Sequence, residues 1–329
     1  MKIGIFGRGF VGSAVEFGFS PQTGCDADVK IYDKDKSKSV HSLSNTLKSD
    51  FIFVSVPTPS NEDNSINLDI VYSAFAEIDS HNMRDDNVFL LRSTVTPGTT
   101  KKLQETYPNL NIVFNPEFLT ERSARFDFIN QSRFILGGDE KHTTKVEELY
   151  KWRFGKSISI IKTNYETAEM IKYMNNCFFA TKVSFLNEMY QVAEACDANW
   201  EDVIEGFVRD GRVGHSHMNV PGPDGKFGFG GSCFPKDIRA MISFSKSLGV
   251  SSKVLSAVWD KNLEVRPEKD WEKLKGRAVV EEKSVPRKQA EARLKYLQSE
   301  LIREGYHDGW TLKGMKDEKK WLEKELNKA

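Results

Sequence analysis

The stretch Lys2-Ile3-Gly4-Ile5-Phe6-Gly7-Arg8-Gly9-Phe10-Val11-Gly12 decides the fold. Its first half is an apolar run typical of a buried strand, and the G-x-G-x-x-G pattern after it is typical of a turn into a helix. The glycines permit a tight turn and a close approach of the backbone to a pyrophosphate, which the helix N-terminus also favours. A turn without a ligand is the alternative for this pattern by itself. We predict a dinucleotide site that contains Gly7, Gly9, Phe10, Val11 and Gly12.

Short apolar blocks alternate with helical stretches as far as about residue 162. After the first strand, the blocks are Val29–Asp33, Phe51–Pro57, Val88–Ser93, Ile112–Asn115, Arg133–Gly137 and Ser157–Ile161. Several lack polar alternation, as parallel strands buried on both faces do. Residues 1–162 are therefore predicted to form a Rossmann-like α/β domain with a doubly wound parallel sheet.

The pattern becomes helical beyond residue 162. Glu166–Ala198 is a long helical pattern without Gly or Pro, of the kind that joins domains and pairs subunits. A loop rich in Gly and Pro follows at Gly211–Cys233, and a helix is predicted for Asp237–Leu248. We expect an all-α central domain over residues 163–262, which provides a dimer interface and part of the substrate site.

The composition of the chain argues against several classes of partner and site. Lys+Arg and Asp+Glu both number 47, so the neutral chain gives no electrostatic reason to expect nucleic acid or an anionic membrane as partner. The four cysteines contain no C-x-x-C pair, and His215-x-His217 has no evident third ligand, so no metal is predicted. No apolar run approaches the ~20 residues that span a bilayer, and a strand begins at once, without a signal peptide. The expected location is the cytoplasm.

Three strand ends point to the cofactor. Asp33 closes the second strand, where a carboxylate bonds a ribose hydroxyl and repels the extra phosphate of NADP. NAD is therefore predicted, while Lys34 and Lys36 leave NADP open. The third and fourth strands end in Val56–Pro59 and Ser93–Val95, at the edge where such sheets bind ligands, although turn chemistry alone would explain both. The predicted cofactor contacts outside the glycine loop are Asp33, Lys34, Pro57, Thr58, Ser93 and Thr94.

The stretch Gly228–Asp237, GFGGSCFPKD, carries the clearest chemistry. Its glycines let backbone N–H groups crowd round a ligand. Cys233 precedes a helix whose N-terminus, together with Lys236, is expected to lower the thiol pKa and favour the thiolate. Asp237 is placed for a cap or a water contact. A reactive thiol is therefore predicted at Cys233, whereas packing roles are predicted for Cys177 and Cys196.

Two polar pairs at helical spacing accompany the cysteine. Glu117 and Glu121 follow Asn115-Pro116, and they can accept protons or orient a water if the turn is helical. Lys172 and Asn176 lie on one face of the long helix, where they can stabilise charge on a reacting oxygen. Solvent-exposed side chains without a function are the alternative for both pairs.

In chain order, the motifs resemble the UDP-glucose/GDP-mannose dehydrogenase family over about residues 1–262. They are GRGFVG at 7–12, Asp33, VPTP at 56–59, STVTPG at 93–98, NPEFLTE at 115–121, AEMIKYMNN at 168–176, DGRVG at 210–214 and GFGGSCFPKD at 228–237. The resemblance implies the NAD-dependent oxidation of a nucleotide-sugar 6-alcohol, first of all UDP-glucose, to the uronate. Two NAD and one water would be consumed for each sugar.

The resemblance also implies a role for individual residues. Cys233 would capture the C6 aldehyde as a thiohemiacetal and then carry a thioester. Lys172, Asn176 and Asp237 would hold the reacting oxygen and a water, and Lys236 would join the cofactor contacts. Glu121 would be the general base, supported by Glu117 and Thr94. The further substrate contacts would be Phe118, Leu119, Phe229, Gly230 and Arg212, the last reaching a neighbouring subunit in a homodimer built on the long helix.

Three features depart from the family pattern. Thr120 replaces a basic residue, and the loop at 215–227 is longer than in many members. The charge-rich tail at 263–329, in which only Arg277–Val280 resembles a strand, is expected to stand in place of a second Rossmann-like domain that closes over the nucleotide. GDP-mannose and UDP-N-acetylhexosamines therefore stay open as substrates. A non-catalytic NAD-binding paralogue and a β-hydroxyacid dehydrogenase also stay open, although the latter has no need of a loop cysteine.

Overall fold

The computed structural model of this protein describes residues 1–81 and 84–281, together with positions 294, 298, 316–320 and 323. Residues 1–280 form one compact unit, and every strand and helix named below belongs to it. In the second unit, residues 316–320 are helical, and the ammonium of Lys319 lies 3.8 Å from the carboxylate of Glu323. Most of the predicted tail lies outside the described residues.

Seven strands form one sheet. They are β1 (Lys2–Phe6), β2 (Asp28–Tyr32), β3 (Phe51–Val54), β4 (Val88–Leu91), β5 (Ile112–Phe114), β6 (Arg133–Gly137) and β7 (Ser159–Thr163). Their order across the sheet is β2-β1-β3-β4-β5-β6-β7. Every residue of β3, β4 and β5 is buried, which confirms that the continuous apolar blocks are central strands covered on both faces.

The last two strands run against the rest of the sheet. β1 to β5 are mutually parallel as predicted, but β6 pairs antiparallel with β5 and parallel with β7. The predicted parallel sheet therefore has one antiparallel pair, between β5 and β6. The connection from β5 to β6 contains only the six-residue helix Ala124–Ile129, so the chain stays at the same edge and does not recross the sheet. Arg133 thereby starts beside that edge, with its guanidinium carbon 4.7 Å from the Phe118 ring centroid.

Helices cover both faces of the sheet. They are α1 (Phe10–Gly18), α2 (Leu43–Thr46), α3 (Asp69–Asp79), α4 (Thr99–Thr106), α5 (Ala124–Ile129) and α6 (Glu140–Phe154). One buried cluster joins Val15, Phe128 and Leu149 to one face of the sheet, and another joins Phe75 and Leu103 to the opposite face. The first part of the unit is therefore a doubly wound α/β sheet, as predicted.

Four helices follow the sheet: α7 (Tyr165–Ala195), α8 (Trp200–Val208), α9 (Phe234–Ser247) and α10 (Lys253–Val265). The predicted long helix is confirmed as α7, a 31-residue helix whose start is capped by the side chain of Asn164. Cys177 is buried in it as predicted. Cys196 lies just after the last turn and is exposed, so its predicted packing role is wrong.

Candidate active site

The loop between β1 and α1 has the backbone that its three glycines predict. Gly7 has a φ of +95°, and a Cβ there would lie 2.3 Å from the carbonyl oxygen of Ser55. A Cβ on Gly12 would lie 2.0 Å from the carbonyl oxygen of Gly7, so this glycine permits the helix to pack on the turn. A Cβ on Gly9, by contrast, would have no atom within 4 Å. Gly9 thus leaves open the space that a dinucleotide pyrophosphate needs.

A cleft opens at the carboxyl ends of β1, β3 and β4. The predicted cofactor residues that line it are Gly7, Gly9, Phe10, Val11, Asp33, Lys34, Pro57, Thr58, Ser93, Thr94 and Lys236. Gly12, the remaining predicted residue of the glycine loop, does not line the cleft and packs against the carbonyl of Gly7. The Asp33 carboxylate accepts a hydrogen bond of 2.6 Å from the backbone N–H of Arg8, which fixes it at the end of β2. The site therefore fits a dinucleotide, with a carboxylate placed for a ribose.

The same cleft reaches Cys233, whose loop is held by residues that the sequence motifs do not reveal. The backbone N–H of Phe229 donates to Asn262 Oδ1 at 2.7 Å, and Asn262 Nδ2 donates to the Phe229 carbonyl at 3.0 Å. The N–H of Gly228 donates to Asn187 Oδ1 at 2.9 Å. A Cβ on Gly230 would lie 2.5 Å from the guanidinium of Arg266, which packs beneath the loop. No spacing rule could have identified Asn187 or Asn262, because both bind backbone groups of a distant loop. Arg266 is held by the carboxylates of Asp224 and Asp270, and its place beneath the loop likewise follows only from the tertiary structure.

Two buried ion pairs flank Cys233. Lys172 Nζ donates to the carbonyl oxygen of Glu117 at 2.5 Å and lies 3.1 Å from its Oε1, and both side chains are almost fully buried. In the second pair, Lys236 Nζ donates to Asp237 Oδ1, while Asn176 Nδ2 donates to Asp237 Oδ2 at 2.5 Å. Lys172, Asn176 and Asp237, which the sequence singled out separately, thus belong to one polar cluster together with Glu117 and Lys236.

Cys233 is the N-cap residue of α9, because the helix begins at Phe234 and not at Asp237 as predicted. Asp237 is consequently a buried partner of Lys236 and Asn176 in the first turn and not a cap. Burial raises the pKa of the Cys233 thiol to about 11, and the carboxylates of Glu117 and Asp237 add to this. The ammonium groups of Lys172 and Lys236 act in the opposite direction. The predicted low pKa is wrong here, because burial disfavours the thiolate and each lysine already has a carboxylate partner, so the two ammonium groups do not offset that cost.

Other predicted residues lie at the rim of the cleft or behind it. Glu121 is half-exposed, and its Oε1 lies 2.5 Å from a guanidinium nitrogen of Arg277, which itself lines the cleft. Arg212 is exposed, pairs with Asp210 at 2.5 Å and does not line the cleft. Two contacts support the Lys172–Glu117 pair. The Phe118 ring centroid lies 5.4 Å from Lys172 Nζ, and the Leu119 N–H donates to Glu117 Oε2 at 2.7 Å. Phe229, which precedes Gly230, is buried.

His217, the second histidine of the loop, has aromatic neighbours. Its ring stacks on Phe179 with centroids 4.2 Å apart, and burial lowers its pKa. Within residues 1–81 and 84–281, no group of three or more His, Cys, Asp or Glu side chains is arranged to hold a metal ion. Among all described residues, no helix is both long and apolar enough to cross a bilayer.

The glycine loop, the sheet order and the cleft at the strand ends define a Rossmann-type dehydrogenase fold with a dinucleotide site. Two family models match, both by description from the UDP-glucose/GDP-mannose dehydrogenase family. The NAD binding domain matches residues 38–153, and the central domain matches residues 166–264. These matches cover more than half of the chain, and the chain belongs to this family. NAD is the cofactor that its first domain takes.

Individual relatives agree with the family. The UDP-glucose 6-dehydrogenase of Rickettsia prowazekii is 35% identical over 241 residues, which are 71% of this chain and 54% of that enzyme. A UDP-glucose dehydrogenase structure from Pyrobaculum islandicum superposes with a TM-score of 0.69 at 26% identity, over 80% of this chain and 68% of the other. A GDP-mannose dehydrogenase from Pseudomonas aeruginosa gives a TM-score of 0.57 at 26% identity, over 80% and 69%. The chain spans about half the length of the relatives that it matches by sequence.

Proposed function

We propose that this protein oxidises the 6-hydroxymethyl group of a nucleotide sugar, UDP-glucose first of all, to a carboxylate through intermediates bound to Cys233. The observation that carries the proposal is the position of Cys233 in the cofactor cleft, close to the Lys172–Glu117 and Lys236–Asp237 pairs. A dehydrogenase that stops at a ketone or an aldehyde needs no thiol at this place. An enzyme that oxidises an aldehyde further does, because a bound hemithioacetal can release the second hydride.

In the proposed reaction each residue has a role that follows from its position in the cleft. NAD, when bound, would accept the hydride in both oxidations, and the hydroxyl proton released in each would pass to a carboxylate of the site or to water. Cys233 Sγ adds to the C6 aldehyde and the thiol proton leaves to the reacting oxygen or to a neighbouring carboxylate, which gives a thiohemiacetal. Lys172 and Asn176 carry the N–H donors that stabilise the developing oxyanion. Water then attacks the thioester that the second oxidation forms, the carbon–sulfur bond breaks, and the uronate leaves with the thiol restored.

The raised pKa of Cys233 places a requirement on the first of these steps. At neutral pH the resting group is a thiol, so its proton must pass to an acceptor as sulfur attacks. Glu117 lines the cleft and Asp237 lies next to it, and either carboxylate can take the proton if its lysine turns to the oxyanion. We propose that the aldehyde oxygen draws Lys172 from Glu117, so that the nucleophile is activated only when the substrate is present.

A second copy of the chain fits one exposed face of α7. Six large apolar residues follow one another at helical spacing on this face, and each is at least 38% exposed. They form the α7 stripe, which consists of Met170, Met174, Phe178, Phe185, Met189 and Val192. We propose that two stripes pack together in a homodimer. Arg212, which is 90% exposed and does not line its own cleft, would then contact the nucleotide sugar of the neighbouring subunit.

The test is the stoichiometry of the reaction. Purified protein with NAD and UDP-glucose should give two NADH and one uronate per sugar, and GDP-mannose and a UDP-N-acetylhexosamine are assayed beside it. Cys233→Ser should abolish uronate formation while leaving NADH binding intact, and Cys196→Ser is the matched control with normal activity. A chain that binds NADH but oxidises none of these sugars, alone or with separately supplied partner domains, would overturn the proposal.

A further inference from the structure

We propose that Arg277 is a cofactor-binding residue, and that it exchanges its carboxylate partner Glu121 for the diphosphate of the bound dinucleotide. No motif of the dinucleotide site includes this residue, which lies far beyond the glycine loop in sequence and comes after the central helices. The inference depends only on the cofactor and not on the sugar that is oxidised. It can therefore fail or succeed independently of the proposed function.

The first observation is that the segment carrying Arg277 returns to the cofactor domain and is fixed there. The N–H of Ser60 donates to the Ala278 carbonyl at 3.0 Å, and the N–H of Val280 donates to the Ser60 carbonyl at 3.0 Å. Ala278 is buried, and Trp271, at the start of the segment, is buried against Trp259 with ring centroids 5.3 Å apart. The backbone at Arg277 is thus held between two anchored points.

The second observation is the direction of the side chain. The Arg277 guanidinium carbon lies 6.0 Å from the centroid of Phe10, the first residue of α1, and Arg277 lines the same cleft as Gly7 and Gly9. A guanidinium at this place faces the point where the glycine loop and the N-terminus of α1 receive a diphosphate. Its planar fork of N–H groups suits phosphate oxygens, which it can bind bidentately.

The third observation is that the present partner of Arg277 is easily exchanged. The pair with Glu121 is short, at 2.5 Å, but both side chains are 44% exposed. Exposed ion pairs contribute little, whereas a dinucleotide diphosphate carries two negative charges. When Arg277 moves to the diphosphate, Glu121 loses its cation and becomes free to accept a proton. The exchange would thus couple cofactor binding to the release of the predicted general base.

The experiment compares NADH affinities, by fluorescence titration, in variants that change one partner at a time. Arg277→Gln should raise the Kd for NADH about tenfold, as expected for one charge-assisted bond. Arg277→Lys should recover part of the affinity, since it keeps the charge but not the fork. Glu121→Gln should lower the Kd about two- to threefold, because it removes the competing carboxylate. The opposite signs distinguish an exchange from a merely structural ion pair, whose two variants would change affinity in the same direction.

Two controls complete the design. Arg125→Gln removes a comparable cation beside α1. The guanidinium carbon of Arg125 lies 5.6 Å from the centroid of the Phe17 ring, and Arg125 does not line the cleft. This substitution should therefore leave the Kd for NADH unchanged. UDP is titrated in parallel, and its affinity should not depend on Arg277. An unchanged NADH Kd in a folded Arg277→Gln protein would overturn the inference. So would a loss of UDP affinity without a loss of NADH affinity, because Arg277 would then serve the sugar nucleotide.

Discussion

Replacing Glu117 by Gln tests whether the lysine–carboxylate pairs hold Cys233 in its thiol form. Glu117 Oε1 lies 3.1 Å from Lys172 Nζ, and the side chains are 6% and 3% exposed. After burial, the charge of Glu117 is the largest cause that raises the pKa of Cys233. Glutamine has nearly the same shape and removes only the charge. Lys172 would then be an uncompensated cation beside the sulfur, which favours the thiolate.

The structure sets the size of two effects of this substitution, the loss of folding free energy and the fall in the pKa of Cys233. Removing one partner of a buried ion pair costs about 3–5 kcal/mol of folding free energy, and the lower end applies here because Lys172 keeps its 2.5 Å bond to the Glu117 carbonyl oxygen. The pKa of Cys233 should fall from about 11 by at least one unit, equivalent to ~1.4 kcal/mol. A lower pKa means that the thiolate forms at lower pH, so alkylation at pH 8 should become about ten times faster.

The assay is the rate of iodoacetamide alkylation of Cys233 between pH 7 and 11, followed by peptide mass spectrometry. Exposed Cys196 in the same samples corrects for reagent and pH. Glu147→Gln is the matched variant, because it removes a surface carboxylate that pairs with Lys151 and Lys162, and it should leave the Cys233 profile unchanged. A midpoint for Cys233 that stays at its original pH or rises in Glu117→Gln would refute the proposed charge balance.

Four further substitutions test other parts of the structure. Gly9→Ala should fold normally but raise the Kd for NADH at least about tenfold, because its methyl enters the ligand space, whereas Gly12→Ala should also lower the melting temperature through its 2.0 Å clash. Asn262→Ala should lose about 2 kcal/mol in urea unfolding, since it leaves two buried backbone groups of Phe229 without partners. Phe178→Glu should convert a dimer to a monomer in analytical ultracentrifugation, because it places a charge in the α7 stripe.

Each of these has an outcome that contradicts it. Gly206→Ala, in α8 with open space around it, is the control for the glycine variants, and equal NADH affinity in Gly9→Ala and Gly206→Ala would show that no ligand approaches Gly9. A change below about 0.5 kcal/mol in Asn262→Ala would mean that water replaces the lost bonds. A Phe178→Glu protein with an unchanged mass in solution would place the subunit interface elsewhere.

Much of the fold followed from local sequence. Short apolar blocks located all seven strands. The blocks of β3, β4 and β5 are continuous, because strands covered on both faces have no polar alternation. The glycine pattern placed the first turn, and the absence of Gly and Pro from 166–198 gave α7. The direction of β6 was wrong, since apolar composition is the same whichever way a strand runs. Only the short connection at α5 decides it.

For the candidate site, too, one part could be predicted from the sequence and another part required the tertiary structure. By itself the sequence predicted which groups could carry the proposed chemistry, because a cysteine after glycines and lysine–amide spacing on a helix are local patterns. Only the tertiary structure decided which charged groups surround them. Lys172 meets Glu117 across 55 positions, Asn262 meets the cysteine loop across 33, and Arg277 meets Glu121 across 156. Electrostatic energies depend on distance in space and on burial, neither of which can be read from separation along the chain.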